Sequence, residues 1–495
     1  MSYNYGGYGR NSRYGYDRRR RSRLPMVLLI IVVLLLLGAG AWVLYSHYAA
    51  DGEQGTGIGG FIDNIINKEK PYTYLAEWDE AKALTEQGET FNALQIYQQI
   101  ILADDAATPD EVYNEFDTLL AKFYHQGIPE ATRLIAENSF AEANILAGQL
   151  AEFFSYDPRV QNLVASSTDI VKWTGTVEHM FFHPLIVYPT RAFPKSGSNG
   201  QDQYMVTVFE FKQFLKQLYE RDYILIAIES LYTAEFDEKG ATVSVIQNEL
   251  WLPRGKKPVI ISIDDLNYYK YMIEQGQSYK MVLDEFGEIC TYSVDTSGKE
   301  VYSKDNEVVT ILDAFVKEHP DFSFNNAKGV IALTGYEGIL GWRINDQPKV
   351  SNYDEELAGA KAVVAKLKEN GWTFASHGQG HRHSAQISYA LMVEDTDRWN
   401  FIVRSVVGPT SVYIYPYGEG LKTDEAKFKY LQQNGFAIFC TVGQAPYLKY
   451  ESTSVQQTRR NIDGIAFAGK HLNELFDIKE ILDPVRPWPT LKDLP

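Results

Sequence analysis

Cysteine is nearly absent from this 495-residue chain, which contains only Cys290 and Cys440. Two cysteines exclude a disulfide framework, although one long-range bridge is compatible with the sequence. Both lie in apolar, strand-like surroundings without Cys-x-x-Cys spacing, which favours two buried thiols. Basic residues are also scarce, because 47 Lys and Arg face 64 Asp and Glu and give a formal net charge of -17. This balance argues against nucleic acid as a partner.

Charge is missing altogether from residues 24–45, a stretch rich in Val, Leu and Ile that predicts one transmembrane helix. The arginine-rich residues 1–23 predict a disordered cytoplasmic tail. Positive charge ahead of the span predicts a single-pass protein of the cell membrane, with the N-terminus cytoplasmic and the later domains extracellular. A cleaved signal peptide is the alternative, because Ala39-Gly40-Ala41 has the small residues of a cleavage site.

The residues after the apolar stretch change character twice. Glycine-rich residues 46–72 predict a linker. In residues 73–168 apolar side chains recur at helical spacing and predict several antiparallel helices. Asn138–Ala143 resembles a tetratricopeptide half-repeat. We interpret this segment either as a helical cap or as a repeat that binds a protein partner.

Short apolar runs alternate with amphipathic stretches over residues 172–477, and residues 478–495 follow as a C-terminal tail. This alternation predicts an α/β domain with a parallel sheet, open or closed into a barrel. Active groups gather at the carboxyl ends of the strands in such folds. The predicted strands are His179–Val187, Tyr223–Ile228, Pro258–Ile263, Gly329–Leu333, Trp372–Ser376, Ser411–Tyr415 and Phe436–Thr441.

Two strand ends carry the residues of a hydrolytic metal site. The run Ile261–Asp265 closes with two adjacent carboxylates, and Ser376–His381 contains histidines four residues apart. Alone, an Asp-Asp pair is often a helix cap and a loop histidine is often only solvated. Together they provide the ligands for one divalent ion, with a carboxylate left over, in a protein that activates water.

These segments resemble the motifs of the polysaccharide deacetylase superfamily, the NodB-homology or carbohydrate esterase family 4 enzymes. Ser262–Asp265 matches the first motif, with Leu266 where the family has glycine. Ser376–His381 matches the second, with glycine for threonine at position 378, and Tyr415–Gly418 matches the core of the third without its usual arginine. The resemblance implies a NodB-like irregular (β/α) barrel after the helical segment and the transmembrane helix.

The acid of the family's last motif is not visible near the C-terminal end. Circularly permuted members, similar to the poly-N-acetylglucosamine de-N-acetylases, have a strand that contains a histidine ahead of the first motif. This chain has Phe181–Ile186 in that position. The resemblance then implies that His183 protonates the leaving amine.

The remaining roles are likewise implied by the resemblance. Asp265, His377 and His381 would bind a divalent metal, Zn2+, and Asp264 would be the general base. The backbone N–H of Tyr417 would stabilise the oxyanion. These groups together account for amide hydrolysis, which requires an activated water, a stabilised oxyanion and a proton for nitrogen.

Other residues near the motifs have open interpretations. His383 is either a competing ligand or a surface residue. His179, at even spacing from His183, is a candidate for a supporting position. Asp397–Trp399 either replaces the missing arginine beside Asp264 or lies on an ordinary helix surface. The tyrosines of Asn267–Tyr271 either stack on sugar rings or pack in the core.

The sequence therefore predicts metal-dependent de-N-acetylation of N-acetylglucosamine-containing polysaccharide, in cell wall or exopolysaccharide, at the outer cell surface. One alternative is a catalytically inactive glycan-binding protein on the same fold. The other is an envelope assembly protein that works through its helical segment.

Overall fold

The computed structural model describes residues 73–103, 108–194, 200–345 and 351–494. The residues from Ala81 onward form one compact unit, which contains the elements that matter for function. The helices are α1 Thr73–Glu86, α2 Thr90–Leu102, α3 Asp110–Ala136, α4 Phe140–Phe154, α5 Pro158–Ser167, α6 Pro189–Ala192, α7 Gln201–Tyr204, α8 Val208–Glu220, α9 Lys270–Glu274, α10 Val308–Glu318, α11 Tyr353–Glu369, α12 Tyr389–Trp399, α13 Ser405–Val407, α14 Ala426–Gln433, α15 Gly464–Ala468 and α16 Ile478–Ile481.

The strands are β1 Ile170–Lys172, β2 Glu178–Phe182, β3 Tyr223–Leu225, β4 Tyr232–Phe236, β5 Thr242–Gln247, β6 Trp251–Pro253, β7 Lys257–Asp264, β8 Lys280–Leu283, β9 Ile289–Val294, β10 Glu300–Ser303, β11 Val330–Leu333, β12 Thr373–Ser376, β13 Val412–Ile414, β14 Ile438–Val442, β15 Leu448–Glu451 and β16 Ser454–Asn461.

The predicted localisation, a single-pass protein of the cell membrane, requires correction. Across the described ranges, no helix combines the length and the apolar character that crossing a membrane demands. Residues 24–45, for which the span was predicted, lie outside the described residues, as do the tail and the linker of residues 46–72.

The helical segment is present as predicted, and α2 to α5 pack as consecutive neighbours. Its last helix is joined to the α/β part by a buried amide, because Asn162 Nδ2 donates to the carbonyl oxygens of Pro320 (2.7 Å) and Ser323. The Ser166 hydroxyl accepts from the N–H of Asn325 at 2.8 Å. The helical segment and the α/β part are therefore joined by polar contacts.

Seven parallel strands of the described residues close into a barrel in the order β7–β11–β12–β13–β14–β16–β2, and β2 pairs with β7 to complete the ring. The predicted α/β fold with a parallel barrel is confirmed. β3 also pairs with β7, on the edge that β11 occupies further along, so β3 lies outside the ring. Strand β2 ends before Pro184, whose missing N–H cannot extend a ladder.

Side chains along the barrel strands alternate between two environments. On β7, Ile261 and Ile263 belong to the large core shared with the surrounding helices, whereas Ile260 belongs to a separate inner cluster. Ser262 and Asp264 continue the inner face of β7 toward its carboxyl end, so the interior changes from apolar to polar along the strand. Other members of the inner cluster are Val330, Ala375, Val412, Ile438 and Val455.

A buried acid, Glu307, joins two loops at the carboxyl end of the barrel. Its Oε1 accepts from the N–H groups of Leu185 (3.3 Å) and Val308 (2.8 Å), and its Oε2 accepts from the Tyr268 hydroxyl (3.1 Å). Burial raises the pKa of Glu307 to about 8, although the three hydrogen bonds oppose the shift. The folded protein therefore holds a proton there that the unfolded chain releases at lower pH.

This difference predicts a pH-dependent cost to stability. The stabilising contribution of Glu307 to the free energy of unfolding is fully present below the pKa of an ordinary glutamate. It is lost as the pH rises through about 8. We expect Glu307→Gln to gain stability relative to the wild type between pH 5 and pH 8.5, by at least about 1 kcal/mol. Denaturant unfolding at several pH values measures the difference, with the exposed Glu369→Gln as control. Parallel stability curves for Glu307→Gln and wild type would contradict the prediction.

Candidate active site

The residues predicted from the motifs meet at the carboxyl end of the barrel. Asp264 is the last residue of β7 and Asp265 follows it, while His377 follows β12 directly. Tyr417 lies in a short turn, Pro416–Gly418, just after β13. Because the strands are parallel, these loops share one rim of the barrel.

Asp265, His377 and His381 form a cluster suited to a metal ion. One ligand atom from each lies within 4.8 Å of the others, and His381 Nε2 is 3.5 Å from Asp265 Oδ2. Asp265 and His377 are buried, whereas His381 is partly open to solvent. Two imidazoles and one carboxylate leave coordination positions for water and substrate, and this donor set fits zinc or a similar divalent ion.

The fold fixes which nitrogen of His377 faces the cluster. Nδ1 lies 2.9 Å from the carbonyl oxygen of Ile414, so Nδ1–H donates there and Nε2 remains for a ligand. Burial lowers the pKa of His377, although the charge of Asp264 opposes the shift. A neutral imidazole is the form that binds a metal.

The loop between the two histidines is held by a residue that the motifs did not indicate. The carboxylate of Asp395, on α12, accepts from the N–H groups of Gln379 (2.7 Å) and Gly380 (2.9 Å). Gly378 has a φ of +68°, and a Cβ there would lie 3.0 Å from Asp395 Oδ2. Both facts explain glycine where the family has threonine.

Asp265 is oriented by a tyrosine from the same loop. Its Oδ1 accepts from the Tyr269 hydroxyl at 2.7 Å, and that hydroxyl also contacts the hydroxyl of Thr334. Since Tyr269 is buried, one carboxylate oxygen is fixed by Tyr269 while the other faces His381. Supporting bonds of this kind set the geometry of metal ligands.

Asp264 is paired with Arg459, on β16. Arg459 Nη1 is 2.7 Å from Asp264 Oδ1 and Nη2 is 2.9 Å from Oδ2, a bidentate pair with both side chains buried. Burial raises the pKa of Asp264, but the charges of Arg459 and His377 and the Arg459 hydrogen bonds outweigh it and hold the pKa below its ordinary value. The carboxylate is therefore ionised, and it lies 3.9 Å from His377 Nε2.

Arg459, and not a residue of Asp397–Trp399, replaces the missing arginine beside Asp264. Asp397 instead accepts from the Tyr430 hydroxyl at 2.5 Å, and Trp399 Nε1 donates to the carbonyl oxygen of Leu333 at 2.8 Å. Arg459 carries no motif of its own. The available signal was the arginine pair 459–460 in a short polar run after the last predicted strand.

His183 follows β2 at the same rim. Its Nδ1 lies 3.1 Å from the carbonyl oxygen of Tyr204, so Nδ1–H donates and Nε2 is the second protonation site. The charge of His183 is among the influences that lower the pKa of Asp264. It also acts on the buried Asp463, whose pKa is raised by burial and lowered by the Asn461 amide, the Ala466 N–H and His183.

Three half-exposed tyrosines surround the cluster, and we call them the tyrosine rim: Tyr271 (45% exposed), Tyr336 (41%) and Tyr417 (54%). Tyr271 and Tyr336 stack on Tyr269, with centroids 5.9 and 4.9 Å away. Tyr417 packs edge-on against His381 at 4.5 Å. Its other contact is His383, stacked at 3.7 Å, so His383 supports the rim and is not part of the metal cluster.

No protein-family model and no curated protein matches the sequence. Solved structures do match, and the three that follow are described as deacetylases.

The Streptococcus pyogenes deacetylase PplD, solved with acetate, is 14% identical, with 62% of this chain and 100% of that chain covered and a TM-score of 0.34. The deacetylase domain of BpsB from Bordetella bronchiseptica is 13% identical, with 58% and 96% covered and a TM-score of 0.32. A Bacillus anthracis protein described as a polysaccharide deacetylase is 12% identical, with a TM-score of 0.32; 58% of this chain is covered, and the chain spans 65% of that protein's length. Likenesses this distant carry no argument about chemistry, which has to come from the site itself.

The geometry of the cluster predicts how its residues affect metal binding. Tyr269→Phe removes the hydrogen bond that fixes Asp265, and we expect zinc to bind about 10- to 100-fold more weakly. Asp265→Asn removes the only carboxylate of the cluster and should abolish stoichiometric binding. Isothermal titration calorimetry with Zn2+ measures the affinity of both variants. The control is Asp397→Asn, at a carboxylate that accepts a hydrogen bond from Tyr430. Wild-type affinity in Asp265→Asn would rule out the cluster as the metal site, and wild-type affinity in Tyr269→Phe would rule out the orienting role of Tyr269.

Proposed function

We propose that this protein is a metal-dependent deacetylase that removes acetyl groups from N-acetylated amino sugars in a polysaccharide. The observation that carries the proposal is the ionised, arginine-paired Asp264 directly beside the Asp265, His377 and His381 cluster. A carboxylate next to a prospective metal site is the arrangement that hydrolysis of an unactivated amide requires.

Asp265, His377 and His381 would hold the ion, and Zn2+ suits their nitrogen and oxygen donors. When bound, such an ion acidifies a water molecule and polarises a carbonyl oxygen. The fit is supported by the position of the donors and by two hydrogen bonds that orient the ligands. His377 Nδ1 is bonded to the carbonyl oxygen of Ile414, and Asp265 Oδ1 is bonded to the hydroxyl of Tyr269.

The other residues then have separate tasks. Asp264 accepts the proton of the attacking water, because Arg459 keeps the carboxylate ionised and fixes its plane. The N–H of Tyr417 is the candidate donor to the oxyanion. His183 delivers a proton to the nitrogen as the C–N bond breaks, and the products are acetate and a free amine. In this assignment each proton has a defined origin and destination.

The tyrosine rim supports a carbohydrate as substrate. Exposed aromatic faces on two sides of the cluster offer apolar surface to the C–H faces of a sugar ring. Tyr336 of the rim also lines a shallow surface pocket. Five of the seven other lining residues have polar or charged side chains, the exceptions being Gly380 and Leu391: Gln379, Gly380, Arg382, Leu391, Glu394, Asp395 and Arg398. Polar groups of this kind bind sugar hydroxyls.

Departures from the family motifs favour the alternative of an inactive glycan-binding protein. Three of the four departures have a structural explanation that leaves the chemistry intact, and the fourth, Pro184 beside His183, lies beyond the end of β2. Leu266 is fully buried in the core, glycine at 378 provides a positive φ, and Arg459 supplies the missing guanidinium. We therefore favour catalysis over binding alone.

Asp264→Asn tests catalysis directly. The amide cannot accept the water proton, so we expect acetate release from chitooligosaccharide or peptidoglycan to fall about 10²- to 10⁴-fold. Zinc affinity should stay close to the wild-type value, because Asp264 is not one of the three proposed ligands. Chelator should abolish wild-type release and added Zn2+ should restore it. No release by the wild-type protein, or full release by Asp264→Asn, would refute the proposal.

The rim makes a second prediction. Tyr271→Ala and Tyr336→Ala each remove one stacking face, so we expect KM for a chitooligosaccharide to rise about 3- to 10-fold. The zinc affinity and kcat should change much less. Tyr302→Ala, at an exposed tyrosine of β10, serves as the control. An unchanged KM in both variants would assign the rim tyrosines to packing alone.

A further inference from the structure

Arg459 is itself held by a chain of buried polar side chains inside the barrel. Arg459 Nη1 lies 3.1 Å from the hydroxyl of Ser262, which lies 2.9 Å from Nε2 of His179. His179 Nδ1 lies 2.8 Å from Oε1 of Gln457. All four side chains are buried. The proposed base, Asp264, is thus the end of a five-residue network that lies beside the metal cluster.

Three neighbouring strands build this network with the same two-residue spacing. β2 contributes His179 and Phe181, β7 contributes Ser262 and Asp264, and β16 contributes Gln457 and Arg459. Residues i and i+2 of a strand face the same side. The guanidinium carbon of Arg459 also lies 4.3 Å from the ring centroid of Phe181, so an aromatic face limits its tilt.

The chemistry of the groups fixes the direction of each hydrogen bond. Arginine has no acceptor, so the Ser262 oxygen accepts from Nη1. The carbonyl oxygen of Gln457 has no proton, so His179 donates from Nδ1. Burial and then the charge of Arg459 lower the pKa of His179 to about 3, which keeps the imidazole neutral. Its Nε2 therefore accepts the hydroxyl proton of Ser262.

A neutral imidazole matters because Ser262 has one proton and must turn a lone pair toward Arg459. If Nε2 carried a hydrogen, the Ser262 hydroxyl would face two donors and its own proton would lose its acceptor inside the barrel. Because Nδ1 already carries a hydrogen, protonation of Nε2 would also make His179 a second cation near Arg459. Neutral His179 thus orients the serine, the serine orients the guanidinium, and the guanidinium orients Asp264.

We propose that His179 is a positioning residue for the catalytic carboxylate, acting through Ser262 and Arg459. The inference rests on the proposed function in one respect only, because the reaction is the readout of Asp264 geometry. The network itself can be examined without any reaction.

The kinetic test compares two substitutions of one residue. His179→Phe keeps a ring of similar size but removes both nitrogens, and we expect kcat for acetate release to fall about 10- to 100-fold with KM and zinc affinity unchanged. His179→Gln keeps an acceptor for Ser262 and should recover most of the loss. His319→Phe, at a histidine whose ring packs against Tyr219 and Phe315, controls for the substitution type and should leave kcat unchanged.

A double-mutant cycle identifies the route. Ser262→Ala is a small truncation and should lower kcat to a similar extent, and His179→Phe with Ser262→Ala should be no worse than either single change. Additive losses would show that His179 does not act through Ser262 and would overturn the proposal. The proposal would also be overturned if both single variants had the wild-type kcat per folded, zinc-loaded molecule.

Crystal structures of His179→Phe and His179→Gln separate this proposal from the proposed function. We expect the two Arg459–Asp264 contacts to be lost or lengthened in the first variant and kept in the second. If they are unchanged in both, the proposal is wrong, whatever the kinetics. If the wild-type protein releases no acetate, the proposed function fails, and these structures still decide the positioning role of His179.

Discussion

The buried pair between Arg459 and Asp264 is the interaction on which the site depends. Two charges removed from water cost several kcal/mol each unless geometry and hydrogen bonding offset the loss. Here the offset comes from a bidentate contact, from the bond between Arg459 and Ser262, and from the aromatic face of Phe181. Three adjacent strands must be in register for these contacts to form together. The buried Arg459–Asp264 pair can therefore form only in the closed barrel.

Much of this arrangement was predictable from the sequence, and the reason is local. Asp264, Asp265 and His377 each stand directly after a run of apolar residues, and such runs become buried parallel strands. Once those strands form one barrel, their carboxyl ends meet, and the clustering of Asp265, His377 and His381 follows. The strand predictions succeeded at the same positions, because burial on both faces makes these strands continuously apolar.

The strand that completes the barrel was not predictable in the same way. In β16, Val455 is the apolar inner residue, while Gln457 and Arg459 face the polar end of the interior. A strand that buries polar side chains has neither a continuous apolar run nor an alternating pattern, so it resembles a loop in sequence. The same cause hid Arg459, since its partner Asp264 lies about 195 residues earlier. Contacts of that range are set by topology and not by spacing.

Local strain is concentrated where the proposed chemistry lies. Of the ten non-glycine residues with positive φ in the described ranges, Asp265, Tyr268, His381 and Tyr417 belong to the loops of the site. Such conformations each cost on the order of 1 kcal/mol or more, and they persist only when surrounding contacts fix them. The hydrogen bonds from Tyr269 to Asp265 and from Tyr268 to Glu307 provide such contacts.

The position of Arg459 late in the chain has a consequence for how the protein acquires its site during synthesis. The prospective metal ligands are complete once residue 381 has been made, but the guanidinium arrives only with β16, the strand that joins β14 to β2. Until then Asp264 has neither its counter-charge nor a closed barrel around it. A nascent or truncated chain that ends before β16 thus has the ligands for an ion without an oriented base. Orientation of the proposed base and closure of the barrel therefore occur together.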